Sequence, residues 1–132
     1  MDRFRIVVDA SLEGGAIAAQ TGHGVTAFAI AHPEAFRAWH TGSNIIAILA
    51  APAAKLAAIA DRLEREGAKI ARFHEPDLGG KLTAIALAPS RAARKATSNL
   101  PRAGGAAYTA GLPSAALRRL RADEGLVRRG SI

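Results

Sequence analysis

Two short runs, residues 44–50 and 82–88, are apolar almost throughout, and they limit the fold more than any other feature of the chain. A strand wetted on one face alternates apolar and polar side chains. A strand without alternation is packed on both faces, as in a sheet with helices on each side. The segments between these runs supply such helices. Residues 4–8 read as a first strand, and residues 9–15 as a polar turn ending in glycine. From 16 to 31, Ile17, Thr21, Val25 and Phe28 recur at helical spacing, placing that apolar stripe on the sheet, and His32-Pro33 predicts a stop followed by a loop. Pro52 suits the first turn of a helix reaching Glu66, with Leu56, Ile59, Ala60 and Leu63 inward and Gly67 as its cap. Strands at 69–73 and 82–88 are separated by Pro76, Asp77, Gly79 and Gly80, and Ser90 caps a short final helix. The expectation is an α/β chain in a three-layer α/β/α sandwich.

At 132 residues the chain has room for one packed core. Residues 1–102 read as that domain, and 103–132 as an appendage, with a Gly/Ala-rich linker at 103–111 and a short basic helix at 113–122. The charge divides at nearly the same place. The formal net charge is +7, yet residues 1–90 hold nine Lys/Arg against nine Asp/Glu, while residues 91–132 hold nine basic residues against Asp123 and Glu124. Such a segment favours a polyanionic partner through counterion release, and nucleic acid is the natural one; a solvated basic tail is the plain alternative. The chain has no cysteine, which excludes disulfides, thiolate metal sites and a thiol nucleophile, and fits a cytoplasmic location. Its N-terminus lacks the long apolar region of a secretory signal, and the apolar stretch 45–54 falls short of the about 20 residues that span a bilayer, so no membrane association is expected.

Several residues are able to carry chemistry. Gly14 and Gly15 precede the first helix, whose free N–H groups can receive an anion or serve the turn alone. Gln20 and His23 share a stripe with Ala16 and Ala27, a pair able to hold a ligand or a water, or to satisfy nearby backbone. Gly22 and Gly24 beside them signal a close approach to the helix. Between the last two strands, His74, Glu75 and Asp77 gather titratable groups: Glu75 or Asp77 as a general base, His74 sharing the proton work, or Asp77 simply closing a turn. No metal site is expected from the histidine spacings, and no Gly-x-Ser-x-Gly elbow or Walker-type loop is present.

The run Gly15-Ala16-Ile17-Ala18-Ala19-Gln20-Thr21-Gly22-His23-Gly24 resembles the first-helix motif of type 2 peptidyl-tRNA hydrolases, a Lys-hydrophobic-Ala-Ala-Gln segment followed by a small residue and His. Trp39 and Gly42, Glu75-Pro76-Asp77-Leu78-Gly79-Gly80 before Leu82-Thr83, and Thr97-Ser98-Asn99-Leu100-Pro101 extend the resemblance over about residues 3–102. It implies that family's fold, with a four-stranded mixed sheet, and its activity, hydrolysis without cofactor or metal of the ester joining a peptide to tRNA. Gln20 and His23 carry over directly. The family's lysine falls on Ala16, and its Asp-Ala-Gly-x-Thr segment is replaced within residues 71–77, where Glu75 and Asp77 are the expected substitutes. Gly14, Gly15, His74, Lys81, Thr83, Thr97 and Arg102 are the residues expected to bind substrate, Lys81 restoring a positive charge. The implied partners are tRNA or peptidyl-tRNA, with a homodimer as the family's tendency. A non-catalytic RNA-binding or protein-interaction module on the same fold, or a cleft for a small acyl or nucleotide ligand, stand as the other readings.

Overall fold

The parallel and antiparallel pairings of four strands decide where every helix must lie. In the computed structural model, which describes residues 3–104, strands β1 (Arg3–Asp9), β2 (Ile45–Ala51), β3 (Ile70–Glu75) and β4 (Lys81–Leu87) form one mixed sheet in the order β2-β1-β4-β3. β1 and β2 run parallel, Arg3 opposite Ile45 through Asp9 opposite Ala51. β4 is antiparallel to both β1 and β3. A parallel neighbour requires a crossover. Helices α1 (Gly15–Ala31) and α2 (Pro33–Thr41) make it between β1 and β2, α3 (Ala53–Arg65) connects β2 to β3, and α4 (Arg91–Ala96) follows β4.

Because successive strand residues point to opposite faces, the sheet divides the core in two. Phe4, Ile6 and Val8 of β1 join Ala84 and Ala86 beneath Phe28 of α1 and Trp39 of α2. Val7, Ile85 and Leu87 pack on the other face against Leu56, Ile59, Ala60 and Leu63 of α3 and Ala93 of α4. Helices therefore cover both faces. On the first, the Phe4 ring meets Phe28 edge-on, with centroids 4.8 Å apart at 80°, a geometry that suits the ring quadrupoles. Each fully buried side chain of this size stabilises the fold by about 1.5–3 kcal/mol.

Local signals set the boundaries. Gly67, at φ +80°, ends α3 by letting its own N–H reach Glu64 O and the Ala68 N–H reach Leu63 O, the paired bonds of a left-handed helix cap. Ser90 Oγ accepts from the Ala93 N–H at 3.0 Å and starts α4. Among the described residues, no helix is long and apolar enough to cross a membrane.

Three expectations need correction. The segment after Pro33 is not a loop: Pro33 begins α2 at its first turn, where a missing N–H is harmless, and Trp39 of that helix donates its indole N–H to Ile45 O at 2.8 Å. The stripe of α1 against the sheet is Gln20, Thr21, Gly24 and Phe28, while Ile17 and Val25 are only half-buried. β2 is an edge strand rather than one packed on both faces, and its Ile46 is 42% exposed. Its outer edge is occupied further along by residues 101–103. The Ala50 N–H donates to Pro101 O, and the Ala103 N–H to Ile48 O, so the pairing runs past residue 102 into what the sequence reads as linker. The expected basic helix at 113–122 lies outside the described residues.

Gly24 explains how close α1 comes. A Cβ placed there would sit 3.6 Å from Ala84 Cβ and Ile6 Cγ2, ordinary contact distance, whereas one at Gly22 would meet nothing. Gly24→Ala is therefore expected to raise stability by about 0.5–1 kcal/mol through helix propensity. Gly24→Leu, which must push the helix off the sheet, should lower it by about 1–3 kcal/mol. Urea denaturation of the two variants checks both signs.

Candidate functional site

Three buried polar side chains meet where α1 crosses the β3–β4 hairpin: Gln20 is 8% exposed, Glu75 9% and Thr83 0%. A local irregularity brings them together. Along β3 and β4, Phe73 pairs with Ala84 but His74 with Leu82, so Thr83 is an extra residue in its strand. Such a bulge turns a side chain from the face that alternation assigns it. Ile85 and Leu87 face α3, and strict alternation would send Thr83 there too; instead its hydroxyl reaches Gln20 on α1.

The bonds form a directed chain. Thr83 Oγ1 donates to Gln20 Oε1 at 2.5 Å, and Gln20 Nε2 donates to Glu75 Oε2 at 2.7 Å. Glu75 Oε1 accepts the Asp77 N–H at 3.1 Å, which also starts the 3₁₀ turn Pro76–Leu78. The amide orientation is forced, since a carboxylate can only accept and the Thr83 hydroxyl is left to donate. The Gln20 amide and the Asp77 N–H hold the Glu75 carboxyl below its usual range against the opposing effect of burial, and the charge of His23 adds to this. One Gln20 N–H remains uncommitted within the cluster.

His23, one turn further along α1, is exposed and stacks on Phe73 with ring centroids 4.5 Å apart and planes at 14°. It forms the solvent-facing wall beside Glu75. Lys81 lies opposite Glu75 in the strand register, but its ammonium is 2.9 Å from Asp9 Oδ2, a charge contact rather than an aligned hydrogen bond. Asp9 is buried at the end of β1, and its Oδ1 accepts from the Ser11 N–H and hydroxyl. Burial opposes its charge, yet the Ser11 backbone and the Lys81 ammonium outweigh that and hold its carboxyl below the usual range. Asp9 is absent from the residues expected to carry chemistry, although an acid ending an apolar strand is itself a signal.

The other expected residues are placed apart or engaged otherwise. The Asp77 side chain is exposed, and its contribution to the cluster is its backbone N–H. His74 is exposed, its Nδ1 3.1 Å from Gly80 O. Gly14, at φ +50°, caps α1, and Gly15 starts it, about 7.5 Å of helix from Gln20. Thr97 is buried at the end of α4 on the opposite face of the sheet, donating to Ala93 O at 2.8 Å, and Arg102 bridges to Leu49 along the outer edge of β2. Neither joins the cluster. A surface groove of about 530 Å³ runs along α2, lined by Pro33, Glu34, Arg37, Ala38 and Thr41. Its walls come from one helix alone and hold none of the polar cluster, so the Gln20–Glu75–Thr83 junction is the better candidate.

No family model matches the chain, and no curated protein sequence matches it. Among solved structures it is similar to a protein of unknown function, Atu0240 from Agrobacterium tumefaciens strain C58, at a TM-score of 0.50 and 14% identity over 76% of this chain and 96% of that one. At that identity the likeness concerns the fold alone.

Two measurements follow from the bond chain. Thr83→Val leaves Gln20 Oε1 buried without its donor and should lower stability by about 1–3 kcal/mol in urea denaturation. Because the folded Glu75 carboxyl is depressed, its contribution is complete above the unfolded value of about 4.3 and is lost as pH falls through the folded one. Gln20→Met should move the Glu75 carboxyl titration, followed by carbon NMR, upward toward an ordinary glutamate while that of Asp9 stays in place.

Proposed function

We propose that the protein is an esterase resembling peptidyl-tRNA hydrolases, acting on the bond between a peptidyl or N-blocked aminoacyl group and tRNA. The observation that carries the reading is the Gln20 amide, pinned at both ends by Thr83 and Glu75 with one N–H to spare, beside an accessible imidazole at His23. Ester hydrolysis needs a donor for the carbonyl oxygen, a proton acceptor for water and a proton donor for the departing alcohol.

In this reading the free Gln20 N–H donates to the ester carbonyl oxygen as it becomes an oxyanion. Glu75, held in its charged form, is a weak base and serves instead to fix Gln20 and to stabilise positive charge on His23. The imidazole of His23 takes a proton from the attacking water. When the tetrahedral intermediate collapses and the ester C–O bond breaks, it returns that proton to the ribose oxygen, leaving the free hydroxyl and the peptide's carboxylic acid, which releases its own proton to solvent to become the carboxylate.

One observation favours a second reading, a non-catalytic RNA-binding module. Ala16 stands where the family it resembles has lysine, and the Lys81 ammonium is committed to Asp9. The junction thus has no uncommitted lysine to stabilise an oxyanion or hold a phosphate.

Release of labelled N-acetyl-aminoacyl groups from charged tRNA separates the two. His23→Ala, an exposed position, should lower kcat by about 100-fold or more. Asp77→Asn should leave it nearly unchanged, because the chain uses the backbone N–H there. Salt-sensitive tRNA binding with no release by the folded wild-type protein would instead select the module.

A further inference from the structure

β3 is an edge strand, and among the described residues no strand pairs with its outer side. Three bonds show which of its backbone groups face outward. Lys69 O accepts the Ala88 N–H just beyond β4, and Glu75 O accepts the Gly80 N–H in the hairpin turn, so residues 69 and 75 face β4. Ile70 O faces the other way, where it accepts from His32 Nε2 at 2.8 Å. Residues 71 and 73 lie opposite Ala86 and Ala84, and alternation from 69 turns their backbone groups toward β4. The same alternation puts the N–H and C=O of both Arg72 and His74 outward. Two donors and two acceptors thus stand in a row along the open edge.

The surroundings of this edge decide what it can receive. The Arg72 guanidinium is held by Glu64 at 2.7 Å and Asp61 at 2.9 Å, both on α3, so the edge presents neutral amides rather than a free charge. The oxygens of a phosphodiester only accept and would leave the two carbonyls unsatisfied. An extended peptide carries donors and acceptors in alternation and matches all four groups. Charged side chains along an edge, here Arg72 with Asp61 and Glu64, oppose its pairing with the same edge of a second copy. The edge also leads to the junction: Glu75, the last residue of β3, belongs to the polar cluster, and His23 stacks on Phe73.

We propose that the outer edge of β3 binds the peptide of the substrate as an added parallel strand, an inference that rests on the esterase reading. Parallel to β3, the peptide brings its C-terminal end, which bears the ester, beside Glu75 and His23. Antiparallel, it would carry that end to Ile70 and His32, away from the junction. In a parallel pair each outward-facing residue donates to one residue of the neighbouring strand and accepts from the residue two further along. One residue of the peptide therefore gives its N–H to Arg72 O and accepts the His74 N–H on its carbonyl. Main-chain bonds of this kind supply affinity for a peptide of any sequence.

The test uses the full chain and tRNA bearing an N-acetyl-alanyl group, an N-acetyl-trialanyl group, or the latter with each amide N-methylated in turn. The longer substrate should have a KM about tenfold lower, and N-methylation of the amide that reaches Arg72 should cost about three- to tenfold, as loss of one main-chain hydrogen bond does. Arg72→Pro lacks the outward N–H, a loss that an edge strand tolerates. Relative to Arg72→Ala, which lacks the same ion pairs but keeps that N–H, it should raise the KM of the longer substrate by a similar factor. Equal KM for the two acyl lengths, or no effect of N-methylation at any position, would overturn the edge site, while release of the N-acetyl-alanyl group would leave the esterase reading standing. If no substrate is released, that reading fails instead, and amide NMR with N-acetyl-tetraalanine amide decides the edge: shifts at Arg72 and His74 support it, and their absence overturns it. The N-methyl series decides the matter even if Arg72→Pro fails to fold.

Discussion

A buried primary amide holds the candidate site together. Gln20 comes from a helix and Glu75 and Thr83 from two strands, so the pair of hydrogen bonds made by one side chain fixes α1 against the hairpin in position and direction. Hydrophobic packing alone would tolerate sliding of the helix, because apolar contact has no preferred angle. The amide does not tolerate it: a shift of one residue would leave a buried carbonyl, carboxylate or hydroxyl without a partner. Gly24 makes the arrangement possible by bringing the helix axis close enough for so short a chain of bonds.

The sequence makes the alternation of strands and helices legible because burial leaves a periodic trace in each. It fails where one residue serves two purposes. Pro33 both ends α1 and begins α2, and read as a terminator it hides the helix that carries Trp39. In α1 Phe28 is fully buried but Ile17 and Val25 of the same apolar stripe are only half-buried, because the sheet takes up the small Gly24 and the polar Gln20 and Thr21, Gln20 bonded to Thr83 and Glu75 and Thr21 to Ile17 O. No hydropathy pattern reports satisfaction of that kind. The near-continuous apolar run of β2 misleads for a related reason: its outer edge is paired by the chain at 101–103, a contact visible only in three dimensions.

For the candidate site, Gln20, His23 and Glu75 are legible in the chain as residues able to carry chemistry, and Thr83 enters only through the resemblance to a family motif. What the sequence could not supply was the bulge. Strict alternation from Leu87 places Thr83 under α3, and only the skipped partner opposite Phe73 returns its hydroxyl to α1. Asp77 illustrates the converse. The sequence offers its side chain as a candidate base, whereas its backbone N–H is the group that reaches Glu75.

The placement of charge constrains what can approach. At the junction, Glu75 is balanced by neutral donors, and Lys81 is spent on Asp9, so the field there is negative apart from His23 when protonated. A phosphate is repelled from such a place, while the carbonyl of an ester is not, since it brings no net charge and needs only a donor.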